Sequence, residues 1–134
     1  MRTLLALPFL NVHLHESPTP VLELEWLSYI GSTEFRAVAL QALALSKQHR
    51  VRAWVADDRH LGAVRPRDLD WTEQAILLPL SQSGLQRFAH VEPLDALNRH
   101  MVGTMYSRSQ PALGFEIANF STLAEARAWA SAQV

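Results

Sequence analysis

Val51-Arg52-Ala53-Trp54-Val55-Ala56-Asp57-Asp58-Arg59-His60-Leu61-Gly62 is a short apolar run that breaks abruptly into acid, base and histidine. Val51, Ala53 and Val55 lie on one parity, with Trp54 and Ala56 on the other. A strand over Val51 to Ala56 would therefore bury both faces, as a central strand of an α/β sheet does. The chain then reaches the surface at Asp57. Upstream, Ser32 is placed to cap a helix that carries Glu34 in its first turn, and Phe35, Val38, Ala39, Ala42 and Leu43 follow at helical spacing. Lys47, His49 and Arg50 gather in its last turn, where cations are favoured. Before that helix, Phe9 to His15 and the alternating Val21 to Ile30 read as a hairpin broken at Ser17-Pro18-Thr19-Pro20.

Downstream, Pro66 and Asp68 suit the first turn of a helix. Leu69, Ile76 and Leu80 line one face of it, and Trp71, Ala75 and Leu78 line nearly the opposite one. Pro79 removes an amide and is expected to kink the last turn before Gly84 stops it. Leu85 to Val91 is a further strand. Pro93-Leu94-Asp95 then starts a helix with Leu94, Leu97, Met101 and Met105 on one face. Gly114 to Phe120 is the last strand, and Thr122-Leu123-Ala124-Glu125 has the spacing of a capping box. Leu123, Ala126, Trp129 and Ala130 dock the helix that follows. The order ββαβαβαβα predicts a mixed, mostly parallel five-stranded sheet with about four helices and right-handed crossovers.

The 134 residues form a single domain, 1–134, long enough to bury a real core. Twelve basic against 13 acidic residues give no field to hold a phosphate backbone, so nucleic acid is not an expected partner. No cysteine is present, which excludes disulfides, thiolate nucleophiles and Cys-ligated metals. The start, Met1 to Leu10, has the charge and apolar run of an export leader, but Asn11-Val12-His13-Leu14-His15 follows instead of a small-residue cleavage site. No run approaches the ~18 apolar residues that span a bilayer. The expectation is a cytoplasmic chain without stable membrane insertion.

Asp57, Asp58, Arg59 and His60 form the densest polar cluster, at the carboxyl end of a central strand, where open α/β sheets place ligands. A carboxylate beside an imidazole suits a general base or a metal, yet Asp-Arg pairs also simply fix turns. Spacing assigns no nucleophile and no third ligand, so no catalytic residue, metal or cofactor is assigned. His13 and His15 share one strand face and read as a solvated face in preference to a metal pair. His90, in an inner strand, reads as a hydrogen-bonded, partly buried histidine. A phosphoacceptor receiver would need a lysine on a late strand, and the only lysine is Lys47. Of the four tryptophans, Trp26, Trp54 and Trp129 read as core. Trp71 lies on the second apolar stripe with Ala75 and Leu78, and an uncovered stripe points to a homodimer interface there.

Several segments together resemble the small bacterial SpoIIAA-like proteins, also described as STAS/SEC14-like domains. They are Glu25-Trp26-Leu27-Ser28-Tyr29 before Ser32-Thr33-Glu34-Phe35-Arg36, the Trp54 to Gly62 stretch, Pro66-Arg67-Asp68-Leu69-Asp70-Trp71, and Phe120 to Trp129. The resemblance covers nearly the whole chain. It implies helices stacked mainly on one face of the sheet, a homodimer as a common assembly, and binding of a partner protein in place of catalysis. Anti-sigma-factor antagonists of this fold carry a phosphorylated serine after the central strand. Here no Ser, Thr or Tyr occurs from Asp57 until Thr72, so that switch is not expected. The leading expectation is a non-enzymatic STAS-like module whose Asp57 to Val64 loop, with Trp71, faces a regulatory protein. A small apolar ligand or lipid bound between sheet and helices is the first alternative. An enzyme or metal site at Asp57, Asp58 and His60 is the second.

Overall fold

In the computed structural model, which describes residues 1–16 and 18–132, the chain is a six-stranded sheet whose spatial order follows the sequence, β1 to β6. The strands are β1 (Arg2–Leu7), β2 (Leu10–His15), β3 (Val21–Trp26), β4 (Ala53–Asp57), β5 (Arg87–Val91) and β6 (Glu116–Phe120). The first three pair antiparallel, and β3 to β6 are parallel. The helices are α1 (Ser32–Gln48), α2 (Pro66–Thr72), α3 (Leu78–Gln82), α4 (Ala96–Ser109) and α5 (Leu123–Ser131), with a π turn, Glu73–Leu77, between α2 and α3. Ser17, part of the expected break after β2, lies outside the described residues.

The expected count of five strands is corrected to six: Arg2–Leu7 is a strand, paired with β2 across the two-residue turn Pro8-Phe9. The sequence hides this turn because it lacks the Gly, Asn or Asp that usually supports such hairpins. A register shift between Thr3 and Leu5 also breaks the alternation along β1.

Both faces of β4 are buried, as its two-sided apolar pattern requires. Leu22, Leu24, Trp54, Ala56 and Phe88 join the main core beneath α1, α2, α3 and α4. Val21, Ala53, Val55, Ala89 and Val91 pack on Ala126 and Ala130 of α5 on the opposite face. Phe88 sits at the centre, with ring centroids 6.0 Å from Trp54, 5.1 Å from Tyr106 and 6.0 Å from Phe115.

Three helix readings change in detail. Gly31, not Ser32, caps α1; the Ser32 hydroxyl donates to Asp68 instead. The disturbance expected at Pro79 takes the form of the π turn just before it, where the Leu78 amide bonds the Glu73 carbonyl five residues back. The inner face of α4 is Asn98, Val102, Met105, Tyr106 and Ser109, whereas Leu94 and Leu97 are 66% and 69% exposed. The expected face is right for Met105, which is buried, and for Met101, which packs on the core, but wrong for Leu94 and Leu97, because buried polar residues, Asn98 and Ser109, occupy part of the true inner stripe.

At the far edge, the side chain of Gln110 pairs with β6 as a strand would. Its amide donates to the Phe115 carbonyl at 2.8 Å and its oxygen accepts the Ile117 amide at 2.9 Å. Glu116 bonds back to Gln86, toward β5, so the groups that Gln110 takes are the outward-facing ones.

Candidate functional site

At the carboxyl end of β4 the chain alternates faces, and this separates the two adjacent aspartates. Asp57 points to the α5 side, where Arg59 forks onto it, Nε to Oδ1 at 2.9 Å and Nη2 to Oδ2 at 2.8 Å. Asp58 turns to the helix-covered side and is buried against His90 of β5. His60 stands exposed at the tip of the loop and does not converge with either aspartate. The expected Asp57, Asp58 and His60 cluster is therefore not one site; the histidine that joins Asp58 is His90.

Both ring nitrogens of His90 face oxygen: Nε2 lies 2.8 Å from Oδ2 of Asp58, and Nδ1 lies 3.1 Å from Oδ1 of Asn119 on β6. Placed so, the ring can give a proton to each of these oxygens, and the two bonds favour its charged form. Burial pulls the His90 pKa down, but the bond and charge of Asp58 and the bond to Asn119 outweigh it and leave it raised. Burial likewise pushes the Asp58 carboxyl up, and the His90 bond and charge only partly oppose this. Tyr106 packs on the imidazole, 4.7 Å between centroids, and burial, with the charge of Asp58, raises its phenol well above the ordinary value.

A raised histidine pKa has a defined sign. The folded state binds the proton more tightly than the unfolded chain, so its stabilisation is complete below about pH 6.5, the unfolded value, and is lost as pH rises through the folded pKa. Urea midpoints measured from pH 6 to 9 are expected to fall with pH in the wild type. In a variant with Asp58 and His90 both replaced by leucine this fall is expected to disappear.

The loop between β4 and α2 is held from three sides. Buried Asn98 of α4 donates to the carbonyls of Leu61 and Gly62, at 3.0 and 3.1 Å. Leu94 donates its amide to the Arg59 carbonyl at 3.2 Å. Gly62 lies so close to the loop after β3 that a Cβ would fall 2.5 Å from Tyr29 Cβ and 2.6 Å from its Cα. Gly62→Ala is expected to push these two loops apart and cost about 1–3 kcal/mol by chemical denaturation, as overpacking does.

Trp71 is half-buried: its ring meets Phe35 edge-on at 6.3 Å, and the Arg36 guanidinium lies over it at 5.2 Å. Ala75 and Leu78 are also half-buried. On the α5 side, His13 pairs with Glu25 and His15 with Glu23, each at 3.0 Å, and Arg127 forks onto Glu23 at 2.7 and 2.8 Å. The His13 bond leads the influences that hold the Glu25 carboxyl below its ordinary range. The two histidines thus take separate carboxylates, and no group of three or more potential ligands among the described residues could hold a metal.

Asn98 and Asn119 went unnoticed in the sequence. A usable signal for Asn119 exists: it pairs in register with His90, so two polar residues sit side by side near the ends of an inner strand and the edge strand next to it.

No helix among the described residues is long and apolar enough to cross a membrane. No family model matches the chain, and no curated protein matches it by sequence. Among solved structures it is similar to an uncharacterised protein of the DUF3478 family with a SpoIIAA-like fold from Shewanella loihica PV-4. The two chains are 13% identical, with a TM-score of 0.59 over 94% of this chain and 97% of that one. With its mixed sheet carrying helices on both faces, most of them on one, the chain is a domain of SpoIIAA-like fold.

Proposed function

We propose that the protein is a non-enzymatic, STAS-like interaction module of the cytoplasm, which contacts a regulatory protein without a phosphoserine switch. The observation that carries this reading is the rim formed by the loops at the carboxyl ends of β4 and β5. There Leu94 and Leu97 are largely exposed, and Leu94 is tied by its amide to the loop that presents His60. Exposed apolar side chains beside a polar tip are the composition of a protein contact. The groups suited to chemistry are meanwhile engaged with one another: Asp57 by Arg59, Asp58 by His90 and Glu23 by Arg127.

Affinity purification of the tagged full chain from its source cells, compared with a Leu94→Asp/Leu97→Asp variant, tests the reading. A partner retained by the wild type and lost by the folded variant supports it. Equal recovery by both removes the rim from it. A homodimer through Trp71, Ala75 and Leu78 is the second part of the proposal. Light scattering at micromolar concentration is expected to give twice the 15.1 kDa chain mass, reduced to the monomer by Leu78→Asp. A wild-type monomer would sink this part.

A further inference from the structure

Between the sheet and the helices lies a cavity of about 50 Å³, walled by apolar side chains that include Trp26, Phe35, Trp54, Ile76, Leu77 and Met105. Asp58 faces into it from the end of β4, although only 2% of its surface is exposed. Its Oδ2 is taken by His90; its Oδ1 has no hydrogen-bond partner among the described residues. No fully enclosed side-chain oxygen or nitrogen among those residues lacks a partner, so Oδ1 keeps a small accessible area, and the space in front of Asp58 is the cavity.

We propose that this cavity binds a small, neutral, mostly apolar molecule bearing one hydrogen-bond donor, which is received by Oδ1 of Asp58. This goes beyond the interaction reading and does not depend on it. The volume is roughly three to five times what one water needs, which sets the scale at a few non-hydrogen atoms, up to a small ring. The charge is set by the pair already present: Asp58 and His90 share a proton and are together neutral whichever of them holds it, so an added cation would be a buried charge without a counterion. An anion would meet the carboxylate. A wholly apolar molecule would leave the oxygen dry and unpaired. Water would find at most the Asp58 oxygen and the Tyr106 hydroxyl, the low end of the two to four polar partners it needs, and the space is larger than one water. Of the other polar residues lining the space, Thr72 already donates its hydroxyl to the Asp68 carbonyl at 2.7 Å, whereas the Tyr106 phenol has no hydrogen-bond partner among the described residues.

The surroundings allow occupancy to be felt outside. Leu61 and Val64 of the exposed loop form part of the wall, as do Ile76 and Leu77 of the π turn, a widened geometry frequent at functional sites. A molecule in the cavity would thus touch the underside of the segment that carries His60.

Pyrrole and furan are rings of nearly equal size, of which only pyrrole has an N–H. Both are titrated into isotope-labelled full-length protein while amide resonances are followed by NMR. Pyrrole is expected to shift the amides of Ala56, Leu61 and Val102 and to bind at least about tenfold more tightly than furan, the worth of a hydrogen bond to a charged acceptor. In Asp58→Asn the side-chain oxygen stays with His90 and an NH2 group faces the cavity, so the preference for pyrrole is expected to vanish. Ala39→Leu, which fills the space from α1, is expected to abolish the shifts with the fold kept. Equal binding of the two rings by the folded wild type would overturn the proposal. So would lining amides that pyrrole leaves unmoved, the mark of a cavity that holds only water.

Discussion

Asp58→Ala is expected to lower the unfolding free energy by about 1–3 kcal/mol, because it leaves Nε2 of buried His90 without its hydrogen-bond partner and the ring must sit neutral in an apolar cavity. The pair it breaks is short, 2.8 Å, and both side chains are almost wholly removed from water. Neither can turn outward to recover hydration, unlike Arg2 and Glu16, whose exposed pair at 3.2 Å is worth about 1 kcal/mol or less. A companion measurement separates the cost of breaking the pair from the worth of having it. Asp58→Leu/His90→Leu removes both charges and keeps apolar volume, and is expected to lie within about 1–2 kcal/mol of the wild type or above it. Urea denaturation of the wild type, both single variants and the double variant gives the coupling energy directly. A single-variant loss below about 1 kcal/mol would show that the two groups are not held as a buried ion pair.

Phe88→Ala is expected to cost more, ~3–5 kcal/mol, and for a different reason. The ring is 2% exposed and is surrounded by Trp54, Tyr106 and Phe115, so three neighbours lose contact at once. It also lines the existing cavity, and the space it vacates would join that cavity instead of collapsing. The loss is therefore expected toward the upper end of the range, with the denaturant slope unchanged. Leu40→Ala on the exposed flank of α1 is the control, expected to stay within about 0.5 kcal/mol of the wild type.

Those two residues show what was legible in the sequence. Phe88 stands in a segment that reads as a strand, and such patterns gave the parallel half of the sheet, the inner face of α1 and the burial of β4, because burial on a regular element writes itself as periodicity. Asp58 was visible as a candidate, but its partner was not. His90 lies 32 residues away and meets it only because β4 and β5 run parallel in register, Ala56 beside His90. Proximity along the chain favoured His60 instead, and adjacent residues leaving a strand point to opposite sides. The missed first strand has a similar cause: Pro8-Phe9 makes a tight turn without the residues that normally announce one. In α4 the buried Asn98 and Ser109 disguised the inner face, since polar groups bonded inside the protein count as surface in any reading of hydropathy.

The Gln110 side chain against β6 bears on how this sheet meets others. A six-stranded open sheet has two borders, and on the β6 border the Phe115 carbonyl and the Ile117 amide already have partners within the chain. Beyond β1, no further strand among the described residues covers the other border. A lattice of sheets growing by edge pairing needs two free borders per unit, and here one is obstructed. Joining by strands is therefore more open at β1 than at β6, where the Gln110 side chain holds the first outward-facing groups. Truncating that side chain to alanine would free those groups and leave the β6 border as open as that of β1.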